Sequence, residues 1–272
     1  MSEYINANRK LWNAWTKIHE TSDFYGNESF KAGRNSLKSI ELEELGDVRG
    51  KSLLHLQCHF GQDTLSWARL GAIVTGVDLS DEAIMLAQSL AAELHLDARF
   101  VCSNLYELPK VLDEQFDIVF TSYGVLAWLS DLDRWGQIVA HYLKPGGTFY
   151  IVELHPISVT LDDWSDEPGL RIRYPYFHTK EPMEFDDGIS YADPDPANAE
   201  KLTNYQWNYG MGEVINALIG AGLIIEFVHE FPMTGHLHLP FMQKDDDGWY
   251  RLPEGMPEIP FLFSIRAAKP TT

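Results

Sequence analysis

The segment Lys51-Ser-Leu-Leu-His-Leu-Gln-Cys-His-Phe-Gly61 is an apolar strand pattern that ends in a tight turn, and a helical pattern follows it. A second apolar strand, Ile73-Val-Thr-Gly-Val-Asp78, ends in an acid about 17 residues after Gly61, near the spacing of about 20 that is typical of ribose recognition. A carboxylate at the carboxyl end of a strand can accept both ribose hydroxyls, while the turn lets backbone N–H groups approach the ligand. The segment therefore predicts a nucleoside-containing ligand held at Asp78.

The composition excludes several classes of partner. The chain has 272 residues with 40 acidic and 21 basic side chains, and its formal net charge is −19. Such a charge argues against nucleic acid and against an anionic membrane surface. The first ten residues contain no apolar signal region, and no apolar run approaches the roughly 18 residues of a membrane span. We expect a cytoplasmic protein, a monomer or a homodimer, without a structural disulfide between Cys58 and Cys102.

Strand and helix patterns alternate through the middle of the chain, which predicts an α/β fold. Ser80, followed by two acids, predicts the N-cap of one of these helices. We expect strands at 52–57, 73–78, 98–102, 116–121, 148–153, 223–231 and 260–267, and helices at 8–20, 37–45, 61–70, 81–94, 122–143 and 211–220.

Proline and aromatic residues replace the helical patterns after His155, so we expect an inserted lid there. Within it, Asp187-Gly188 predicts a type I′ turn of a β-hairpin between Met183 and Tyr191. The expected organisation is an N-terminal helical cover at 1–50, a core at 51–155, the lid at 156–208, and a C-terminal helix with closing strands of the same core at 209–272.

Several separate motifs resemble class I S-adenosylmethionine-dependent methyltransferases of the small-molecule type, over about residues 50–155 and more loosely at the C-terminus. These motifs are Val77-Asp-Leu-Ser80, Phe100-Val-Cys-Ser-Asn-Leu-Tyr-Glu-Leu-Pro109, Phe116-Asp-Ile-Val-Phe-Thr-Ser-Tyr-Gly124 and Leu143-Lys-Pro-Gly-Gly147. The resemblance implies a doubly wound, mostly parallel seven-stranded sheet of order 3-2-1-4-5-7-6 with strand 7 antiparallel. It also implies S-adenosylmethionine as cofactor, S-adenosylhomocysteine as product and a small-molecule methyl acceptor.

The same resemblance assigns the cofactor-binding residues. Asp78 matches the acid that binds the ribose, Leu79 the residue that packs on adenine, and Asn104 with Leu105 the loop that meets the adenine amino group. Thr121 and Tyr123 lie in the fourth strand and the loop above the sulfonium. Trp12, Tyr25 and Trp128 are further candidates to stack on adenine or to line the wall beside the positive sulfur.

The first loop departs from the family pattern of an acid followed by three alternating glycines. His55, Gln57 and His59 stand at the first three of these positions, and only Gly61 keeps the glycine. Gln57 and His59 thus carry side chains where the family lets backbone approach the methionine moiety. They either contact the cofactor or obstruct it.

An acceptor hydroxyl, thiol or acidic carbon needs a base near the ends of the fourth and fifth strands. His155 is the first candidate and Tyr123 the second, while Glu153 is expected to be a structural acceptor. His155 can equally be an ordinary loop histidine. No metal is expected, because His236 and His238 lack a carboxylate partner at ligand spacing.

Two rival functions remain open on the sequence alone. A non-catalytic, S-adenosylmethionine-binding regulatory protein would explain the altered first loop. An NAD-dependent oxidoreductase would explain Asp78, although the Gly-x-Gly-x-x-Gly fingerprint of dinucleotide binding is absent.

Overall fold

A computed structural model describes residues 2–165, 167–193 and 200–271. Its α-helices are α1 Ser2–Thr21, α2 Asn27–Lys31, α3 Ser39–Leu45, α4 Gln62–Arg69, α5 Asp81–Glu93, α6 Leu132–Tyr142 and α7 Met211–Gly220. Its strands are β1 Ser52–Leu56, β2 Ile73–Asp78, β3 Ala98–Cys102, β4 Phe116–Ser122, β5 Leu143–Leu154, β6 Met183–Phe185, β7 Asn204–Gln206, β8 Ile224–Phe231, β9 Gln243–Lys244, β10 Tyr250–Arg251 and β11 Leu262–Ala268.

The central sheet has seven strands in the order β3-β2-β1-β4-β5-β11-β8. Strands β1 to β5 pair in parallel, and β11 runs antiparallel to both β5 and β8. Numbered by position among the sheet strands, this is 3-2-1-4-5-7-6 with an antiparallel strand 7, so the predicted fold is confirmed. The parallel topology places the carboxyl ends of β1, β2, β4 and β5 at one edge of the sheet.

The two central strands are mostly apolar because helices cover both faces of the sheet. Leu54 in β1 and Val119 in β4 are fully buried on one face with the apolar sides of α6 and α7. Leu53 and Phe120 are equally buried on the other face, with α3 and α4. Helix α5 begins as predicted, since the Ser80 hydroxyl accepts a hydrogen bond from the N–H of Ala83 at 3.0 Å.

The predicted hairpin turn at Asp187-Gly188 is wrong. Strand β6 pairs antiparallel with β7, and Phe185 lies opposite Asn204. Gly188 has a φ of 62°, but Asp187 does not share the left-handed conformation that a type I′ turn requires at both central residues. The chain instead continues past Gly188 to contact α1, and residues 194–199 of the predicted lid lie outside the described residues.

In the part of the chain that the structure describes, no helix combines the length and the apolar character needed to cross a membrane.

Candidate functional site

The loop after β1 has an unusual backbone. Gln57 and His59 have φ values of 56° and 51°, in the left-handed region that non-glycine residues rarely occupy, and Gly61 follows with 80°. Gly61 precedes α4 and touches the ring of Phe100, where an added Cβ would lie 2.7 Å from the ring. This loop therefore keeps the glycine conformation at two positions that carry side chains.

Asp78 lies beside this loop at the end of β2, where its two carboxylate oxygens each accept a backbone hydrogen bond. Oδ2 accepts from the N–H of His59 and Oδ1 from the N–H of Ser80, both at 2.8 Å. Burial raises the pKa of the Asp78 carboxyl to about 6, and these N–H donors oppose the shift. Asp78 is thus fixed in orientation, and it retains acceptor capacity for a ligand hydroxyl.

Glu153 shapes the loop after β4 from the end of β5. Its carboxylate is buried and accepts hydrogen bonds from the backbone N–H groups of Gly124, Val125 and Leu126. Burial raises the pKa of Glu153, while the hydrogen bonds of that loop lower it. Glu153 is therefore a structural acceptor, as predicted from the sequence.

Gln57 joins the two loops across the sheet edge. Its amide nitrogen donates to the carbonyl of Val125 at 3.0 Å, so the loop after β1 and the loop after β4 are held together. The loops that bracket the open edge thus form one hydrogen-bonded unit.

Helix α1 and the segment after β6 cover this edge. His19 of α1 lies with Nδ1 2.8 Å from Nε2 of His59 and with Nε2 2.7 Å from the hydroxyl of Ser190. The indole nitrogen of Trp15 donates to the carbonyl of Gly188 at 2.9 Å. Burial lowers the pKa of His19 to about 3 and that of His59 well below its usual value, so both rings are neutral at pH 7.

Aromatic rings surround the two histidines. The ring centroid of Trp12 lies 5.1 Å from that of His59 and 5.2 Å from that of Trp128. The hydroxyl oxygens of Tyr25 and Tyr191 are 2.5 Å apart. Trp12, Tyr25 and Trp128 thus lie together around His59, and their role beside the cofactor stays a prediction. These three residues come from α1, the loop after α1 and the loop after β4.

Tyr123, predicted both to bind cofactor and to be catalytic, directs its hydroxyl away from the open edge. The hydroxyl donates to Oε2 of Glu41 in α3 at 2.8 Å. Glu41 is fully buried, and burial raises its pKa to about 7. The Tyr123 hydroxyl is thus engaged within the protein, and its backbone has a φ of 37°.

The other residues predicted to bind the cofactor differ in their contacts within the protein. The Thr121 hydroxyl is buried and donates to the carbonyl of Leu56 at 3.0 Å, so it links β4 to β1. Leu105 is buried in the core. Asn104 uses its side-chain oxygen to accept from the N–H of Tyr106 at 3.1 Å, and Leu79 is half-buried beside Asp78.

His155 follows β5, as predicted, but both ring nitrogens have neighbours within the protein. Nδ1 accepts from the N–H of Ile157 at 3.1 Å, and Nε2 lies 2.7 Å from a carboxylate oxygen of Glu230 in β8. Burial lowers the pKa of His155, and the Glu230 carboxylate opposes that shift. Nδ1 is thus engaged by a backbone donor, whereas Nε2 is buried beside the Glu230 carboxylate and makes no hydrogen bond among the described residues.

Among the described residues, no group of three or more histidine, cysteine or acidic side chains is arranged to hold a metal ion. His236 faces the hydroxyl of Thr234 at 3.2 Å, and His238 the carbonyl of Ser158 at 2.9 Å. The two rings lie at 5.5 Å and contribute to local packing.

His19 and Ser190 belong to the site but were not predicted from the sequence. His19 occupies the same face of α1 as Trp12 and Trp15, one turn apart, which is the only signal that sequence offered. Ser190 carries no signal at all, because its role depends on a contact with a residue 171 positions away.

Residues 54–151 match the family described as Methyltransferase domain. The ubiquinone biosynthesis O-methyltransferase of Coxiella burnetii is 31% identical over 116 residues, which cover 43% of this chain and 49% of that protein. An uncharacterized methyltransferase of Synechocystis is 32% identical over 149 residues, which cover 54% of this chain and 66% of that protein. The chain thus spans about half the length of the Coxiella relative that it matches.

One solved structure extends the similarity to most of the fold. An S-adenosylmethionine-dependent methyltransferase from Mesorhizobium loti superposes with a TM-score of 0.60 at 22% identity. The superposition covers 88% of this chain and 99% of the other. At this identity the likeness concerns the fold.

Proposed function

We propose that this chain, which belongs to the class I S-adenosylmethionine-dependent methyltransferases, transfers a methyl group from that cofactor to a small-molecule acceptor. The observation that supports this most strongly is the arrangement at the ends of β1 and β2. There a fixed, partly exposed carboxylate, Asp78, adjoins a left-handed loop that ends at Gly61.

The residues present fit the cofactor in chemical type. The Asp78 carboxylate is available to accept from the ribose hydroxyls, and Leu79 beside it would pack on the adenine ring. Asn104 and Leu105 would border the adenine on its other side. Two polar atoms in the loop after β1, Oε1 of Gln57 and Nδ1 of His59, are buried without a hydrogen-bond partner among the described residues. When bound, S-adenosylmethionine supplies an electrophilic methyl group on a sulfonium, which needs no further activation by the protein.

The protein's own contribution is positioning and exclusion of water. Glu153 and Gln57 hold the loop after β4 against the loop after β1, which fixes the floor of the site. The aromatic rings around His59 form a water-poor wall, and an electron-rich ring also favours a nearby positive charge.

We propose that the cover at 1–50 and the lid at 156–208 complete the acceptor pocket. Support comes from the contacts of Gly188 and Ser190 with α1, whose His19 also contacts His59 in the loop after β1. The O-methyltransferase name of the Coxiella relative favours a hydroxyl acceptor. The roles of His155 and Tyr123 as bases remain predictions, and their hydrogen bonds favour structural roles.

The decisive experiment is isothermal titration of the purified protein with S-adenosylmethionine, S-adenosylhomocysteine and NAD. We expect micromolar binding of the first two and none of NAD. A radiolabelled methyl-transfer screen over phenols, carboxylic acids and amines then identifies the acceptor.

The outcomes separate the rival functions. Binding without methyl transfer to any acceptor would favour a regulatory protein, and NAD binding would favour an oxidoreductase. Failure of both adenosyl ligands to bind would contradict the proposal.

A further inference from the structure

Two buried polar atoms in the loop after β1 lack a hydrogen-bond partner among the described residues, and both belong to residues with a left-handed backbone. They are Oε1 of Gln57 and Nδ1 of His59. An unpaired buried polar atom costs roughly 1–3 kcal/mol, and a left-handed non-glycine residue adds a further cost. Such features persist mostly where a ligand or a function requires them.

The chemical character of the Gln57 atom follows from its neighbour. The carbonyl of Val125 can only accept a hydrogen bond, so the amide group that faces it at 3.0 Å is the nitrogen. The amide oxygen is therefore the atom that has no hydrogen-bond partner among the described residues. At this position the protein offers an acceptor and needs a donor.

The character of the His59 atom follows from a chain of hydrogen bonds. Apart from His19, the Ser190 hydroxyl has one described partner, the N–H of Ala192, which donates to it at 3.1 Å. We assign the Ser190 O–H as the donor to Nε2 of His19 at 2.7 Å, because the other described partner of this hydroxyl is itself a donor. Neutral His19 then carries its proton on Nδ1 and donates to Nε2 of His59 at 2.8 Å. This leaves the proton of neutral His59 on Nδ1, so the protein offers a donor there.

We propose that Gln57 Oε1 and His59 Nδ1 bind the amino-acid end of the cofactor, the oxygen accepting from the α-ammonium group and the nitrogen donating to the α-carboxylate. This inference rests on the proposed function. An acceptor and a donor on one loop are complementary to a zwitterion, whose two groups are one donor and one acceptor.

The opposite possibility is that the two side chains obstruct the site, and glycine substitutions distinguish the two. Glycine removes the side chain and relieves the left-handed backbone. If the side chains bind the ligand, Gln57→Gly and His59→Gly weaken affinity despite that relief. If they obstruct, the same changes strengthen it.

The experiment compares two ligands by isothermal titration against the whole protein. S-adenosylhomocysteine has the amino-acid group, and 5′-methylthioadenosine keeps the adenosine and the sulfur but lacks it. We expect Gln57→Gly and His59→Gly each to weaken S-adenosylhomocysteine binding about tenfold or more, as for a lost hydrogen bond to a charged group. Binding of 5′-methylthioadenosine should change less than about twofold.

A matched control is His95→Gly, since His95 has a φ of 54° at the exposed end of α5, away from the site. This variant should gain thermal stability by relief of its left-handed backbone and leave both affinities unchanged. Thermal denaturation of each variant confirms that it is folded.

Tighter or unchanged S-adenosylhomocysteine binding by Gln57→Gly would overturn the inference, as would an equal loss for both ligands. Either result, obtained with an unaltered protein that binds S-adenosylhomocysteine, leaves the proposed function standing. An unaltered protein that binds neither ligand overturns both.

Discussion

Asp78 is a carboxylate that burial has made a weaker acid, with a pKa of about 6. Because the pKa is raised, the ionised form, which would be the better acceptor for the ribose hydroxyls in the proposed role, is present above about pH 6 and is lost below it. If only that form binds, affinity for S-adenosylhomocysteine should fall about tenfold from pH 7 to pH 5, the ratio that a single ionisation at this pKa produces. Isothermal titration across this range measures the effect.

Asp78→Asn is the control for this ionisation. Asparagine keeps the size of the side chain and one acceptor oxygen, but it cannot titrate. The variant should bind weakly at every pH, with a flat profile between pH 5 and pH 7. A profile as steep as that of the unaltered protein would show that another group causes it.

His155 is held between the N–H of Ile157 and the carboxylate of Glu230. Because Nδ1 accepts from the N–H of Ile157 and Nε2 is buried beside Glu230, we expect His155→Gln to leave S-adenosylhomocysteine affinity unchanged and to preserve the shape of the pH profile of turnover. The measurement is kcat against pH with an acceptor found in the screen. Loss of the acidic limb of that profile would instead identify His155 as the general base.

The limits of sequence reasoning at single residues are clear from Thr121 and Asn104. Both stand where the motif placed them, at the carboxyl ends of strands. Motif position gives the place of a residue in the fold but not the direction of its side chain. The Thr121 hydroxyl turns to the carbonyl of Leu56, and the Asn104 oxygen caps the backbone of Tyr106.

The turn that connects β1 to α4 requires glycine at one position, Gly61. Gly61 has a φ of 80°, and a Cβ there would lie 2.7 Å from Phe100. Gly61→Ala should therefore lower the free energy of unfolding by about 2–4 kcal/mol, combining left-handed strain with overpacking. Denaturant unfolding measures the loss.

Gly222→Ala separates the cost of left-handed strain from the cost of overpacking. Gly222 has a φ of 85°, and an added Cβ would meet nothing within 4 Å. This variant should lose only the strain, about 1–2 kcal/mol. Equal losses in the two variants would show that Phe100 moves aside at no cost.

Strands with strong local patterns were predicted well, and pairings without them were not. The apolar runs of β1 and β4 and the Ser80 cap depend on neighbours in sequence. Strand β6 is three residues long, and its partner β7 lies beyond residues 194–199. The local sequence Asp187-Gly188 is compatible with a turn, but β6 pairs with β7 instead, and its neighbouring residues do not determine that partner.

The charge of the whole chain acts on any charged ligand. With a net charge of −19, the protein attracts the sulfonium of S-adenosylmethionine, whereas S-adenosylhomocysteine lacks that positive charge. Raising the salt concentration from about 0.01 to about 1 M shortens the screening length from about 30 to about 3 Å. We expect S-adenosylmethionine affinity to fall several-fold over this range, with much less change for S-adenosylhomocysteine.

Titration of both ligands at each salt concentration tests this expectation. A parallel decline for the two ligands would mean that salt acts on the fold and not on the sulfonium.

The chain of Ser190, His19 and His59 has a consequence for how the molecule is made. Its members are separated by 171 and 40 positions in sequence. The contact of Ser190 with His19 spans more of the chain than the strand pairings of the central sheet, so it closes late, because loop-closure entropy must be offset before it forms. The parallel sheet can therefore be complete while the ligand site is not, and a refolding chain regains its secondary structure before it regains the ability to bind.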